Sequence, residues 1–298
     1  MNHKITKQTA ITLGNFDSFH RGHRKLIDFT KDYAEKHSLL SIIFTTTPST
    51  AEFFGKTEKK ILENKREIVY TNQNLCDIFI EHPLSIQFLN TEPKQFLQML
   101  KNELKAEAII VGENYRFGKG AKGTPILIEE FSKENGIYFK VIDLLKENGE
   151  IISSTAIREA ISTGDIKKAN NFLGYPFFIK GEVVPTDGRG AQIGFATANI
   201  NLKEELISPD HGVYLTKTTL PSGERFKSVT NIGTKPTFNV EVPQIETHIL
   251  DTCIDLYHKE IKVEFYKKIR SIVKFDSIEA LKRQLKEDVR IANESDFL

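Results

Sequence analysis

Along the first half of the chain, short runs of β-forming residues alternate with stretches whose apolar positions recur every three or four residues. The runs predict strands near 9–13, 39–45, 76–81, 107–112 and 137–143. Between them, Leu26, Ile27, Thr30, Tyr33 and Ala34 fall on one face of a helix that begins near His20, and Phe96, Leu97, Leu100 and Leu104 do the same for another. Strand and helix in alternation make parallel βαβ units, so an α/β domain with a parallel sheet is expected. Such a sheet binds ligands at the carboxyl ends of its strands.

After Ser154 a helix through Ile157, Ala160 and Ile161 leads to Gly164-Asp165 and a second short helix ending at Phe172–Pro176. From Phe177 to about Ile269 the texture changes to short strands separated by Gly, Pro and Asn turns, which predicts a small antiparallel barrel or sandwich. A final helix follows, with Ile278, Leu281, Leu285 and Val289 as a core-facing stripe and Ser277 as its N-cap. The expected domains are 1–175 and 176–298, each long enough to bury a core.

Charge narrows the partners. Lys plus Arg number 41 against 40 Asp plus Glu, and no polybasic run stands ready to neutralise a series of phosphates, so neither nucleic acid nor an anionic membrane is expected. No apolar run approaches the roughly 20 residues of a bilayer span, and the polar N-terminus has no signal-peptide core. A cytoplasmic protein with small-molecule partners, monomeric or weakly homo-oligomeric, is the expectation. Cys76 and Cys253 are too few for a disulfide framework and read as buried free thiols.

Candidate chemistry begins at Ile11–His23, "ITLGNFDSFHRGH". A strand that turns directly into a helix presents unpaired backbone N–H groups and the positive end of the helix dipole, an anion site. His20 and His23 share a face of the first turn, and Gly22 removes a side chain from the approach. Two solvated histidines in a turn would read the same way. Ile151–Arg158, "IISSTAIR", is on its own an ordinary capped helix start. Its Arg158 could equally clamp a phosphate with a bidentate guanidinium. Together the two segments resemble the nucleotidylyltransferase superfamily, whose histidine and Ser-Ser-Thr-x-x-Arg signatures contact the ATP triphosphate. The resemblance implies that Gly14, Asn15, Phe16, Asp17 and Gly22 bind the nucleotide. It places His20 and His23 at the α-phosphate, and Ser154, Thr155 and Arg158 at the phosphates that leave as pyrophosphate.

A third stretch, "VGENYRFGKGAKG" (111–123), contains a literal Gly-x-Gly-x-x-Gly, but several residues past the strand end, where it cannot hold a dinucleotide pyrophosphate. In the second half, "DGRGAQIGFATANI" (187–200) combines a glycine-rich loop with Thr197 and Asn199, two oxygen donors on one face of an extended segment. An ordinary polar hairpin has the same look; a Mg²⁺ and nucleotide-phosphate site is the alternative. "NIGTKPTFN" (231–239), "ETHILD" (246–251), "DLYHKEIKVEFYKKIR" (255–270) and "KFDSIEALKRQLKEDVRIA" (274–292) follow in order. These resemble the riboflavin kinase module. With the N-terminal motifs, nearly the whole chain resembles the bacterial bifunctional riboflavin kinase/FMN adenylyltransferases, or FAD synthetases.

That resemblance implies ATP-dependent phosphorylation of riboflavin to FMN by the C-terminal domain and adenylylation of FMN to FAD by the N-terminal Rossmann-like domain, with Mg²⁺ as cofactor. Glu246 would be the base, Thr197 and Asn199 the metal ligands, Gly188, Arg189 and Gly190 part of the nucleotide loop, and Asn114 and Phe117 flavin contacts. The chain departs from the pattern at Ser18 (usually Gly), at Phe44–Pro48 (usually Phe-Asp-Pro-His-Pro), at Val184–Thr186, Ala191 and Ala196, and at His258 (usually Gly). Retention of only one activity, or a non-catalytic flavin-binding regulator, are the alternatives those departures leave.

Overall fold

A computed structural model describes residues 5–55, 58–71, 75–186, 188–234, 243–252 and 254–296. The chain forms two compact units, 1–154 and 155–298.

The first unit is built on five parallel strands: β1 (Thr9–Leu13), β2 (Leu40–Thr47), β3 (Ile78–Pro83), β4 (Ala106–Gly112) and β5 (Tyr138–Ile142). Their spatial order is β3-β2-β1-β4-β5. The chain therefore winds outward from β1 in both directions, and the crevice of this topology opens at the carboxyl ends of β1 and β4. All of β1 is buried, as the centre of a sheet covered on both faces demands. Ile11 and Leu13 join one core with Ile42, Phe44, Leu97, Ile109 and Val111. On the opposite face the small Ala10 and Ala108 pack with Ala34 of α1 (Arg21–Lys36) and with Ile110 and Ile142. Helices α2 (Thr50–Phe53) and α3 (Lys65–Thr71) follow β2, α4 (Ile86–Leu89) and α5 (Pro93–Asn102) follow β3, and α6 (Pro125–Asn135) follows β4. Leu104 lies past the end of α5 yet still packs on the core. A short hairpin, β6 (Lys146–Glu147) and β7 (Glu150–Ile151), precedes residue 154.

The second unit contains α7 (Ser154–Ser162) from its second residue, α8 (Ile166–Leu173) and a closed barrel. The barrel strands are β8 (Phe178–Val184), β9 (Ala198–Asn201), β10 (Gly212–Thr219), β11 (Arg225–Thr234), β12 (Pro243–Ile249) and β13 (Glu260–Arg270), ordered β10-β11-β12-β9-β8-β13. The compact division falls well before residue 175, where the strand-rich texture begins. Asn170 of α8 supplies the reason: it donates to the Phe265 carbonyl at 2.8 Å and accepts from the Phe177 N–H at 2.7 Å, tying the helix to the barrel. The barrel interior is partly polar. Thr216 Oγ1 lies 2.8 Å from both Ser228 Oγ and Thr230 Oγ1, and Thr230 reaches Thr247 at 3.0 Å, so hydroxyls satisfy one another where a buried polar group would otherwise be costly.

Three local expectations need correction. Within the glycine-rich loop, α9 (Arg189–Gln192) is one helical turn. In α10 (Ile278–Glu294), Ser277 caps Ala280 N–H as expected, but Ile278 is 60% exposed and the buried positions are Asp288 and Ala292. Asp288 is drawn inward by Arg270, which grips it at 3.0 and 2.8 Å. Cys76 is half-buried, with its thiol pushed up to about 11 by burial, which leaves it protonated and inert. Cys253 lies outside the described residues.

Candidate active sites

The strand-exit motif folds into a strained turn. Phe16 and Phe19 both have positive φ, +42° and +47°, and both rings are fully buried and stacked at 6.0 Å between centroids. Non-glycine residues adopt this region at a cost, and such strain concentrates where a turn must present its backbone in one way. Gly14 permits it, because a Cβ there would stand 2.9 Å from the Phe16 ring.

At the start of α1, His20 is the N-cap: its Nδ1 accepts from the His23 backbone N–H at 3.2 Å. That bond places the His20 proton on Nε2. The two imidazoles stack, centroids 3.7 Å apart, and Phe16 meets His23 edge-on at 5.2 Å. Burial lowers the pKa of His20 to about 4 and that of His23 to about 3, so both rings are neutral hydrogen-bonding groups at pH 7. His23 Nδ1 is buried without a partner, a polar atom waiting for a ligand. Gly22 lines the site cleft and also gives His20 room. A Cβ would lie 3.0 Å from His20 Cε1, so the glycine lets that ring fold back over the helix start.

Asp17 accepts hydrogen bonds from Ser18 Oγ at 3.4 Å and from Ser154 Oγ, which joins the first motif to the start of α7. Ser18 is fully buried and takes no part in the cleft wall, so the missing glycine does not narrow the opening. Thr155 and Arg158 follow on α7 and belong to the second unit, Thr155 exposed and Arg158 half-buried.

These groups open into a cleft of about 790 Å³, within the usual range for small-molecule sites. One part is polar: Asn15, His20, His23 and Ser154. Another is aromatic and apolar, with Phe44, Leu84, Phe88, Phe96 and Phe117. Asn114 and Phe117 both line it, together with Gly118, Gly120 and Ala121, and a Cβ on Gly118 or Gly123 would strike Pro93 or the Phe117 ring. Motif reading named Phe117 but missed Phe44, Leu84, Phe88 and Phe96, which come from separate segments of the chain.

The second constellation lies on the barrel. Glu246 on β12 pairs in register with Asn199 on β9 and with Asn231 on β11. Asn199 is 2% exposed. Its Nδ2 donates to the Thr197 carbonyl at 3.2 Å and to the hydroxyls of Thr197 and Thr186, each at 3.3 Å. A carbonyl can only accept, so the amide orientation is settled, and Oδ1 is left buried and unpartnered. An amide oxygen and a hydroxyl are the donor types of a hard cation that keeps waters and phosphates as its other ligands, although here Nδ2 rather than Oδ1 faces the Thr197 hydroxyl. No cluster of three His, Cys, Asp or Glu side chains suited to a metal occurs among the described residues.

Gly188 takes φ +65°, and Gly190 is required by close approach: its Cβ would lie 2.3 Å from the Phe195 carbonyl oxygen. The Arg189 side chain, Asp187 and residues 235–239 of the "NIGTKPTFN" motif lie outside the described residues. His258 explains one departure. It sits at φ +62°, the conformation for which glycine is the default residue, with its ring 3.0 Å from Glu182.

Comparison with known proteins covers both units. The family described as FAD synthetase matches residues 2–156, and the one described as riboflavin kinase matches 173–295. A "Bifunctional riboflavin kinase/FMN adenylyltransferase" of Escherichia coli is 34% identical over 96% of this chain and 92% of its own. The protein of the same name from Bacillus subtilis is 34% identical over 96% and 93%. A crystal structure described as a macrolide-efflux protein from Streptococcus pneumoniae superposes with a TM-score of 0.87 at 27% identity, covering 98% of this chain and 95% of that one. That description concerns the pneumococcal protein; the likeness carries over the fold. Among the described residues, no helix is long and apolar enough to cross a membrane.

Proposed function

The chain belongs to the family of bifunctional riboflavin kinase/FMN adenylyltransferases, and from that premise we propose how its two sites divide the chemistry. The enzyme phosphorylates riboflavin to FMN and adenylylates FMN to FAD, with ATP as co-substrate in both steps.

In the N-terminal module, residues 1–175, an FMN phosphate oxygen attacks the α-phosphorus of ATP in line and pyrophosphate leaves. Such a reaction needs positioning and charge stabilisation, and no covalent nucleophile. Asn15–Asp17 and the start of α1 offer backbone N–H groups, and the neutral His20 and His23 offer ring hydrogen bonds to the α-phosphate. Ser154 takes part in holding the departing phosphates, and the aromatic wall with Asn114 and Phe117 takes the flavin. The observation that carries this reading is the buried, unpartnered Nδ1 of His23, a residue that lines the cleft beside His20.

In the C-terminal module, residues 176–298, Glu246 accepts the proton of the ribityl 5′-hydroxyl as its oxygen attacks the γ-phosphorus and ADP leaves. The orphaned Asn199 Oδ1 and the Thr197 hydroxyl fit Mg²⁺, which when bound neutralises phosphate charge. Gly188, Arg189 and Gly190 form the phosphate loop. Full-length protein given riboflavin, ATP and Mg²⁺, with flavins separated chromatographically, tests both steps: FAD is expected. Arrest at FMN would remove the adenylyltransferase assignment, and unmodified riboflavin the kinase one.

A further inference from the structure

Lys65, the first residue of α3, belongs to none of the motifs and stands 50 residues from Asn15 in the chain. Its Nζ donates to the Asn15 carbonyl at 2.8 Å and lies 3.4 Å from Thr45 Oγ1 and 3.5 Å from the Thr46 carbonyl. Thr45 Oγ1 donates to the same Asn15 carbonyl at 2.9 Å. Two donors thus fix the oxygen that immediately precedes Phe16, at the strained point of the turn. Asn15 and Thr46 both line the cleft.

All of these Lys65 partners are neutral oxygens; among the described residues no carboxylate comes within ion-pair distance of its Nζ. Asp17, Glu81 and Glu52 act on it only from further away, and burial holds its pKa below the ordinary lysine value. Its field in turn reaches His23, where it helps to lower the imidazole pKa. A half-buried ammonium whose hydrogen-bond partners are all neutral oxygens is a cost to an empty fold. An apolar side chain of the same length would serve packing better, so the charge points to an anion that arrives in the cleft.

We propose that Lys65 is a positioning residue for adenylyl transfer: from behind the strand-exit turn it locks the Asn15 carbonyl and supplies fixed positive charge to the bound triphosphate. This rests on the adenylyltransferase reading of the cleft. The kinase step of the same molecule provides an internal control, because Lys65 has no part in the barrel.

The test compares full-length wild type, Lys65→Met, Lys65→Arg and His23→Ala, measuring initial rates of FAD formation from FMN, of FMN formation from riboflavin, and Tm. Lys65→Met should lower kcat/KM for ATP in FAD formation about 10-fold or more, short of the 10²–10³ typical of a group that touches the transition state. The loss should exceed any change in KM for FMN, Lys65→Arg should recover most of it, and FMN formation should not change. Tm of Lys65→Met should equal or exceed that of wild type. Wild-type FAD kinetics in Lys65→Met would overturn the proposal, as would equal impairment of Met and Arg variants or a loss accompanied by lowered Tm. If His23→Ala is inactive while Lys65→Met is normal, only Lys65 loses its role; if His23→Ala forms FAD normally, the cleft assignment itself falls.

Discussion

Glu246 and Asn199 face each other in register across β12 and β9, on the side of the barrel wall opposite the buried Ile245 and Thr247. Directly opposed residues of an antiparallel pair carry their Cβ atoms about 5 Å apart. The candidate base and the candidate metal ligand are thereby held at close range by backbone pairing, whatever the loops around them do.

Glu246→Gln keeps the shape and removes the basic oxygen. FMN formation from riboflavin should fall about 10²- to 10⁴-fold, the usual contribution of a general base. FAD formation from supplied FMN should continue at the wild-type rate. Chromatographic assay of each step decides it, and a kinase rate within error of wild type would remove Glu246 as the base.

The histidine pair predicts a pH dependence of stability. Burial holds both imidazoles well below 6.5, at about 4 for His20 and about 3 for His23. Between pH 4 and 6.5 the unfolded chain binds more protons than the folded one, so stability is complete above 6.5 and declines as pH falls through this window. A His20→Asn/His23→Asn double variant, which keeps a capping side chain, should lose less Tm than wild type on going from pH 7 to 4.5. Parallel curves for the two proteins would contradict the neutral, buried state.

Asp288 is almost wholly enclosed between α10 and β13. It accepts from Arg270 through both carboxylate oxygens and from Gln284 at 3.0 Å. Asp288→Ala leaves the Arg270 charge without its partner, and a loss of about 3–5 kcal/mol in urea unfolding is expected. Loss of less than about 1 kcal/mol, the level of an exposed pair, would show that the bridge contributes little.

His258→Gly should be neutral or stabilising by up to about 1 kcal/mol, because it relieves a left-handed backbone and gives up only an exposed contact with Glu182. Clear destabilisation in the same unfolding assay would mean that the His258–Glu182 pair holds the β12–β13 connection.

Much of the architecture was legible because it is written in local periodicity. The five parallel strands, α1 and α5, and the strand-rich second half with its closing helix all follow from apolar spacing and turn residues. Errors arose where a long-range partner overrides the pattern. Asp288 enters the α10 interface because Arg270 is there to meet it, and Ile278 is left in solvent. The glycines were recognised as points of close approach, but Gly22 and Gly190 answer to His20 and Phe195, neighbours only the fold identifies.

What the sequence by itself determined is the order of elements, the family and the residue types available for phosphate and metal chemistry, since motifs of contiguous residues encode local geometry directly. What only the tertiary structure decided is which charges exist and which atoms lack partners. The neutrality of His20 and His23, the free oxygen of Asn199 and the reach of Lys65 to Asn15 come from burial and from contacts between segments far apart in the chain. Desolvation and distance belong to the folded molecule, and no spacing along the chain states them.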